Sequence, residues 1–341
     1  MSTEFPKLFA RLVKHGDAND VREGFDAILA GTWTPVQVGA FAIALRVMGE
    51  TADMLAAAAE SMRSAMVRVR HEFPVVLDTC GTGGDGAHTL NLSSGAALAV
   101  AACGIPVAKH GNRSATSRCG SADVFEALGV PLDVPLRGQE EVFREAGFVF
   151  LFAQAHHSAL RHAAQARSEL GTRTIFNALG PLANPASATH QLLGVYDDDL
   201  RNVAARALGR LGIHRAWVVR GEDGLDEVSP CGTTRVTEVT SGGGFREFVV
   251  TPEDFGIPRL AHAALAGGDP FENAKALRLI LDGRDHPARD GVILNGAAAL
   301  CVATGIDFRT SALRVRQAID AGDASRTLEC WRAAARRARG E

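Results

Sequence analysis

An α/β fold is predicted, with a small N-terminal helical domain and a larger α/β domain built on a mostly parallel central sheet. Two observations carry that prediction. Residues 1–72 show apolar side chains at helical spacing and no strand signal, and from Pro74 onward short β-branched runs alternate with helical segments. In the first part, Phe5, Leu8, Phe9 and Leu12 share one helix face, as do Val21, Phe25, Ile28 and Leu29. Thr34-Pro35-Val36-Gln37 has the form of a capping box with proline at the first helical position. Thr51 opens a further helix that runs to about Val67. A bundle of about 70 residues is marginal alone and is expected to pack on something.

In the second part, strands are predicted at 75–78, 105–108, 148–152, 191–195 and 216–220. Runs 236–239 and 245–250 flank Ser-Gly-Gly-Gly and read as a hairpin. Helices are predicted over 94–103 and 121–128, and again over 270–282, 287–305, 309–321 and 323–339. The terminal helix, with Arg332, Arg336, Arg337 and Arg339, reads as a solvated basic face.

Composition narrows the function classes. The net charge of −3 provides no overall basic field, so no nucleic-acid partner is expected. Six cysteines without C-x-x-C spacing imply free thiols in a reducing compartment. No signal-like N-terminus and no apolar run of about 18 residues is present, so a cytoplasmic location without membrane contact is expected.

Two loops carry the chemistry. Residues 78–94 hold Gly81, Gly83, Gly84 and Gly86 between a strand and an alanine-rich helix. Glycines there permit φ > 0 and remove Cβ atoms from the path of a ligand, while free amides and a helix N-terminus seat phosphate. Thr82, Thr89, Asn91, Ser93 and Ser94 add neutral polar groups. A purely steric turn is the competing reading, because neither common phosphate-loop spacing is present. The second loop, Lys109 to Asp123, places Lys109, Arg113 and Arg118 beside His110 after another strand. Its bland reading is a solvated charged loop. Both loops follow strand carboxyl ends, where open α/β sheets bind ligands. A phosphorylated small molecule is therefore expected in one crevice.

The motifs Gly81–Asp85, Asn91–Ser94, Lys109–Arg113, Gly120–Asp123, Arg167–Asn177, Gly180–Pro185 and Gly224–Glu227 together resemble the anthranilate phosphoribosyltransferase family, in family order across about residues 5–320. The resemblance implies a fold of the nucleoside phosphorylase/phosphoribosyltransferase type. Its domains would be residues 1–72, joined by part of 160–185, and residues 73–341, with the active site in the cleft between them. It implies transfer of phosphoribosyl from 5-phosphoribosyl 1-diphosphate to the amine of anthranilate in tryptophan biosynthesis. Homodimerisation is a further implication.

By the same resemblance, Gly81, Gly84, Asp85, Thr89, Asn91, Leu92, Ser93 and Ser94 hold the donor's diphosphate and ribose. Lys109, His110, Gly111, Asn112, Arg113, Ser114, Ala115, Thr116 and Ser117, with Ser121, hold its remaining phosphate. Gly81, Asn112 and Arg167 face anthranilate; from the residues alone, the competing reading of Arg167 is a surface arginine pairing with Glu169 or another acid. Ser93, Asp226 and Glu227 hold Mg²⁺, in two ions, although spacing alone also fits a solvated acidic turn. No residue is assigned as general base or nucleophile. Arg173 is left between a pairing within the fold and a place near the cleft, and His156 and His157 read as structural.

The stretch 152–166 lacks the family's usual prolines near Gln154, Ser158 and Gln165, and has Leu160 and Arg161 for methionine and lysine. Another aromatic acceptor is therefore the nearest alternative. A pyrimidine nucleoside phosphorylase would not require the Asp226-Glu227 pair, and a nucleic-acid-binding relative should have lost the donor loop.

Overall fold

The computed structural model describes residues 4–114 and 118–341. Four helices come first: α1 (Phe5–His15), α2 (Ala18–Leu29), α3 (Pro35–Met48) and α4 (Ala52–Ala65). The Thr34 capping box is formed in both directions, with Thr34 N donating to Gln37 Oε1 at 2.9 Å. Thr51 Oγ1 accepts from Met54 N at 3.2 Å and starts α4. α4 stops at Ala65 because Met66 turns to an extended backbone. These helices pack through Phe25, Phe41, Leu45 and Leu55, all fully buried. Each such side chain contributes about 1.5–3 kcal/mol on leaving water.

The sheet begins with β1 (Leu77–Gly81), β2 (Val107–Gly111), β3 (Phe148–Phe152), β4 (His190–Gly194) and β5 (Arg215–Gly221), all parallel. β6 (Thr234–Thr240) and β7 (Gly244–Val250) add an antiparallel hairpin. The order is β3-β2-β1-β4-β5-β6-β7. The chain builds outward from β1 through β2 to β3, then returns to the other side of β1 with β4. That reversal opens a crevice at the carboxyl ends of β1 and β4, where Gly81 and Gly194 lie in register.

β1 and β2 start later than the hydrophobic runs predict and extend into the motifs, as far as Gly81 and Gly111. The reason is pairing: Lys109 and His110 face Phe150 and Leu151 in the ladder, so polar residues are drawn into a central strand.

Between strands lie α5 (Leu92–Ala102), α6 (Ser121–Ala127), α7 (Leu136–Ala146), α8 (Ala153–His156), α9 (Arg161–Leu170), α10 (Ile175–Leu179) and α11 (Asp198–Arg210). The chain ends with α12 (Pro270–Leu281), α13 (Arg289–Thr304), α14 (Phe308–Asp320) and α15 (Asp323–Arg339). One sheet face is covered by α5, α13 and α15. The other forms a continuous core with the N-terminal bundle, through α9, α10 and α11. Ala163, Ala166, Ile175 and Phe176 are buried in that core, with the Phe176 ring 5.3 Å from Phe25.

α15 corrects one expectation. Its arginines are not a free basic face: Arg332 pairs with Glu329, Arg337 with Glu145, and Arg339 with Asp133 at 3.0 Å. Arg336 donates to the Gly129 carbonyl at 3.3 Å. No single helix among the described residues is long and apolar enough to cross a membrane. One pair, α13 and α14, reaches that length only across a 118° bend.

Candidate active site

The glycine-rich loop hangs from the end of β1 at the order reversal. Gly83, Gly84 and Gly86 have φ of +64°, +81° and +74°, a backbone that other residues adopt only under strain. Gly81 serves a different need. A Cβ there would lie 2.5 Å from Asp226 Oδ2, and one on Gly194 would overlap the Asp226 carbonyl. The 221–228 turn after β5 therefore seats itself on two bare strand ends.

Hydrogen bonds then lock the parts together. Gly83 N donates to Asp226 Oδ2 at 2.8 Å, and Ser93 N, in the first turn of α5, donates to Glu227 Oε1 at 3.1 Å. Thr82 N reaches Gly194 O at 2.9 Å, and Tyr196 N returns a bond to Thr82 Oγ1 at 3.1 Å. Asp85 accepts from Ala87 N at 3.1 Å and lies close enough to Asp226 to oppose its charge. Among the described residues the amides of Gly84, Asp85 and Gly86 make no hydrogen bond within the chain.

Three carboxylates thus crowd one place. Burial, then Glu227 and Asp85, pushes Asp226 well above the usual carboxylate range. Burial also raises Glu227, opposed by Lys109 and the Ser93 amide. A cluster that resists its own negative charge, lined with hard oxygens, fits a divalent cation such as Mg²⁺.

Lys109 is the fixed counterion. It is 2% exposed, and its Nζ donates to Thr79 O and lies 3.4 Å from Ser93 Oγ. Burial lowers its pKa, while Asp78, Cys80, Glu227 and Asp226 raise it. It is turned into the sheet, not out toward an open loop as the sequence suggests. His110 N donates to the buried Asp78 at 3.1 Å, and Asn184 Nδ2 donates to the same carboxylate at 2.8 Å. The Gly180–Pro185 turn therefore clamps β1 to β2.

The second loop is held by α6. Gly111 leaves no room for a Cβ, which would collide with Ser121 Oγ, and Gly120 packs on the backbone at Ser114. Asn112 is exposed and accepts from the Arg113 amide at 2.8 Å. The Arg113 guanidinium is engaged by Asp123 at 3.0 Å and by Glu126. Asn91 Nδ2 bonds Cys119 O at 3.1 Å and joins the two loops, with buried Asn273 donating to Asn91 Oδ1 at 3.0 Å. Thr89 and Leu90 pair with the backbone at Leu265 and Ala266. Ser94 Oγ is buried without a partner. Ala115, Thr116 and Ser117 lie outside the described residues.

Arg167, on α9, is exposed, its guanidinium 5.5 Å above the Phe176 ring. Among the described residues no carboxylate pairs with it. Glu169 is taken instead by Gln165, which donates to it at 2.9 Å. Arg173 is resolved as a bridge: its guanidinium stacks 4.1 Å from the Tyr196 ring and donates to Gly84 O. Sequence reasoning left Arg173 between a pairing within the fold and a place near the cleft, and gave Asn273 no role. Their partners are 89 and 182 residues away, and no local spacing signals such a contact. His156 bridges Val67 O and Gln139, as expected of a structural histidine.

Two family descriptions cover this architecture. Residues 8–66 match the glycosyl transferase family's helical bundle domain, and residues 74–325 match its a/b domain. Anthranilate phosphoribosyltransferase from Rhodospirillum rubrum is 53% identical over 310 residues, covering 91% of this chain and 89% of that protein. The enzyme of that name from Myxococcus xanthus is 51% identical, over 88% of this chain and 89% of its own. Among solved structures, the Thermus thermophilus enzyme superposes with a TM-score of 0.89 at 42% identity, over 94% of this chain and 96% of that one. The Saccharomyces cerevisiae enzyme, in complex with PRPP and Mg, gives 0.88 at 28% identity over 97% of this chain and 98% of that one. The chain belongs to the anthranilate phosphoribosyltransferase family.

Proposed function

We infer that this chain transfers the phosphoribosyl group of 5-phosphoribosyl 1-diphosphate to the amine of anthranilate, releasing diphosphate, a step of tryptophan biosynthesis. The observation that carries the reading is the union of Gly83 with Asp226 and of Ser93 with Glu227 at the sheet's order reversal. A solved relative is described in complex with PRPP and Mg, and another with 4-fluoroanthranilate.

The donor's diphosphate takes the amides of Gly84, Asp85 and Gly86 and the N-terminus of α5, where the helix dipole favours anions. The amides of Gly83 and Ser93, now resting on carboxylates, exchange those partners for phosphate oxygens as the donor enters. Asp85 and Asn91 meet the ribose hydroxyls. The second loop, from Lys109 to Ser121, holds the 5-phosphate, with Arg113 changing from Asp123 and Glu126 to phosphate. Lys109 acts from below, neutralising the carboxylates that the loops enclose. Ser93, Asp226 and Glu227 hold Mg²⁺, in two ions with Asp85 nearby. Bound there, the metal compensates the charge that gathers on the departing diphosphate.

Arg167 receives the anthranilate carboxylate in a bidentate pair, and Asn112 with Gly81 orients the amine. The amine nitrogen bonds to C1 as the C1–O bond to diphosphate breaks, and the nitrogen then loses its proton. This scheme assigns no side chain as base. Orientation of the two reactants can supply as much as about 7–11 kcal/mol of the barrier. The domains are proposed as residues 1–72 with part of 160–185, and residues 73–341. The exposed Val13, Val36, Val47 and Met48 on the helical bundle favour a homodimer through that domain, in a cytoplasmic enzyme.

The test is diphosphate release from the donor, with and without Mg²⁺ and anthranilate. Turnover that needs all three components supports the reading. Turnover with another aromatic amine but not anthranilate would replace the acceptor while keeping the donor site.

A further inference from the structure

Beside the oxygen-lined carboxylates stands a second group of different chemistry. Asp223, Cys231 and His262 each offer one ligand atom, and these atoms all lie within 4.8 Å of one another. We propose that these three residues form a site for a borderline-soft divalent transition ion of the zinc class, distinct from the Mg²⁺ position.

The ligand set decides the class. A thiol and an imidazole favour Zn²⁺-like ions, whereas Mg²⁺ takes oxygen ligands. Three protein ligands and a water complete a tetrahedral sphere, in which ligand atoms stand about 3–4 Å apart. Closing to that spacing requires only a small movement, and His262 is free to make it because its side chain is 67% exposed. His262 Nδ1 already lies 3.9 Å from Asp223 Oδ2.

The other two ligands are held in place. The Asp223 side chain is 12% exposed and accepts from Ser229 Oγ at 2.5 Å. Ser229 Oγ in turn accepts from the Cys231 amide at 3.1 Å, so one hydroxyl orders both ligands. Ligating carboxylates are commonly fixed by such an outer hydrogen bond. The third ligand is brought in by Leu260 N, which donates to Pro230 O at 2.8 Å. Metal binding displaces the Cys231 proton to solvent and replaces it with a metal–sulfur bond.

Position gives the site a consequence. Asp223 precedes Asp226 by three residues in the same turn, and the segment after His262 pairs with the donor loop through Leu90 N to Leu265 O and Gly267 N to His88 O. An ion held here ties the carboxylate turn to the outer end of that loop.

The experiment titrates the intact protein with Co²⁺ in the presence of excess Mg²⁺. One Co²⁺ per chain, with a thiolate-to-cobalt charge-transfer band that Mg²⁺ does not compete away, is expected. Cys231→Ser should abolish the band, and His262→Ala should weaken Co²⁺ binding at least tenfold. Absence of the band, or a band unchanged in Cys231→Ser, overturns the proposal. So does unchanged affinity in His262→Ala, which leaves the fold intact because that side chain is exposed. Turnover does not enter the readout.

Discussion

The two walls of the crevice are made differently. The wall proposed for the donor is backbone: glycines at positive φ, loop amides and a helix N-terminus, fixed by carboxylates that reach across from the 221–228 turn. The wall proposed for the acceptor is side chain: among the described residues Arg167 stands on α9 without an anionic partner, above Phe176. Backbone sites depend on the exact course of the chain, so the donor wall should tolerate little change. Side-chain sites can lose one group and keep their shape.

The largest effect should come from the donor wall. Asp226→Ala or Glu227→Ala should lower kcat by about 10²–10³-fold, the scale of losing one charge-stabilising group. Diphosphate release measured against Mg²⁺ concentration checks this, and unchanged metal dependence would remove these residues from the site. Gly194→Ala should follow, since the new methyl meets the Asp226 carbonyl. A cost of about 1–3 kcal/mol in urea unfolding is expected, together with loss of Mg²⁺-dependent turnover.

Arg167→Ala tests the other wall. It should raise the KM for anthranilate about 10–100-fold, the equivalent of about 1.5–3 kcal/mol for a charged hydrogen bond, and leave the donor KM unchanged. Equal effects on both substrates would mean that the walls are not separable.

Acid should distinguish the walls further, because the segment between them holds neutral buried histidines. Burial, then His156 alongside, holds His157 down to about 4. Burial lowers His156 as well. The unfolded imidazole binds a proton near pH 6.5 that the folded chain refuses. Stability is therefore complete above that pH and falls as pH drops toward 4. A loss of about 2 kcal/mol from His157 is expected by pH 5, with His156 adding in the same direction. Urea midpoints at pH 7.5 and 5, compared with those of His157→Gln so that the raised Asp226 and Glu227 cancel, measure it; a variant as acid-sensitive as the parent would contradict the burial. The smallest change is expected from Arg173→Ala, which frees Gly84 O. A rise of about fivefold in donor KM, worth about 1 kcal/mol, should appear with kcat nearly unaltered.

The donor wall was also the more legible in sequence. Four glycines in six residues announce themselves locally, because a loop built of backbone must be written in consecutive residues, whereas the Asp226-Glu227 pair reads as a solvated acidic turn until the family resemblance is added. Hydrophobic runs likewise located the seven strands among the described residues. They misplaced the starts of β1 and β2, since Lys109 and His110 are polar residues in a central ladder. What sequence could not supply were the long-range contacts. Arg173 reaching Gly84, Asn273 reaching Asn91, and Arg337 and Arg339 of α15 reaching Glu145 and Asp133 all depend on the finished packing. Lys109 reads as a loop cation until β2 is known to carry it beneath the site.

That buried lysine has one more consequence. A cleft holding Asp85, Asp226 and Glu227 would ordinarily swell when stripped of its ions. Here one positive charge is part of the polypeptide and cannot be dialysed away. Chelation should therefore silence the protein without unfolding it, and the emptied cleft should reload without a refolding step.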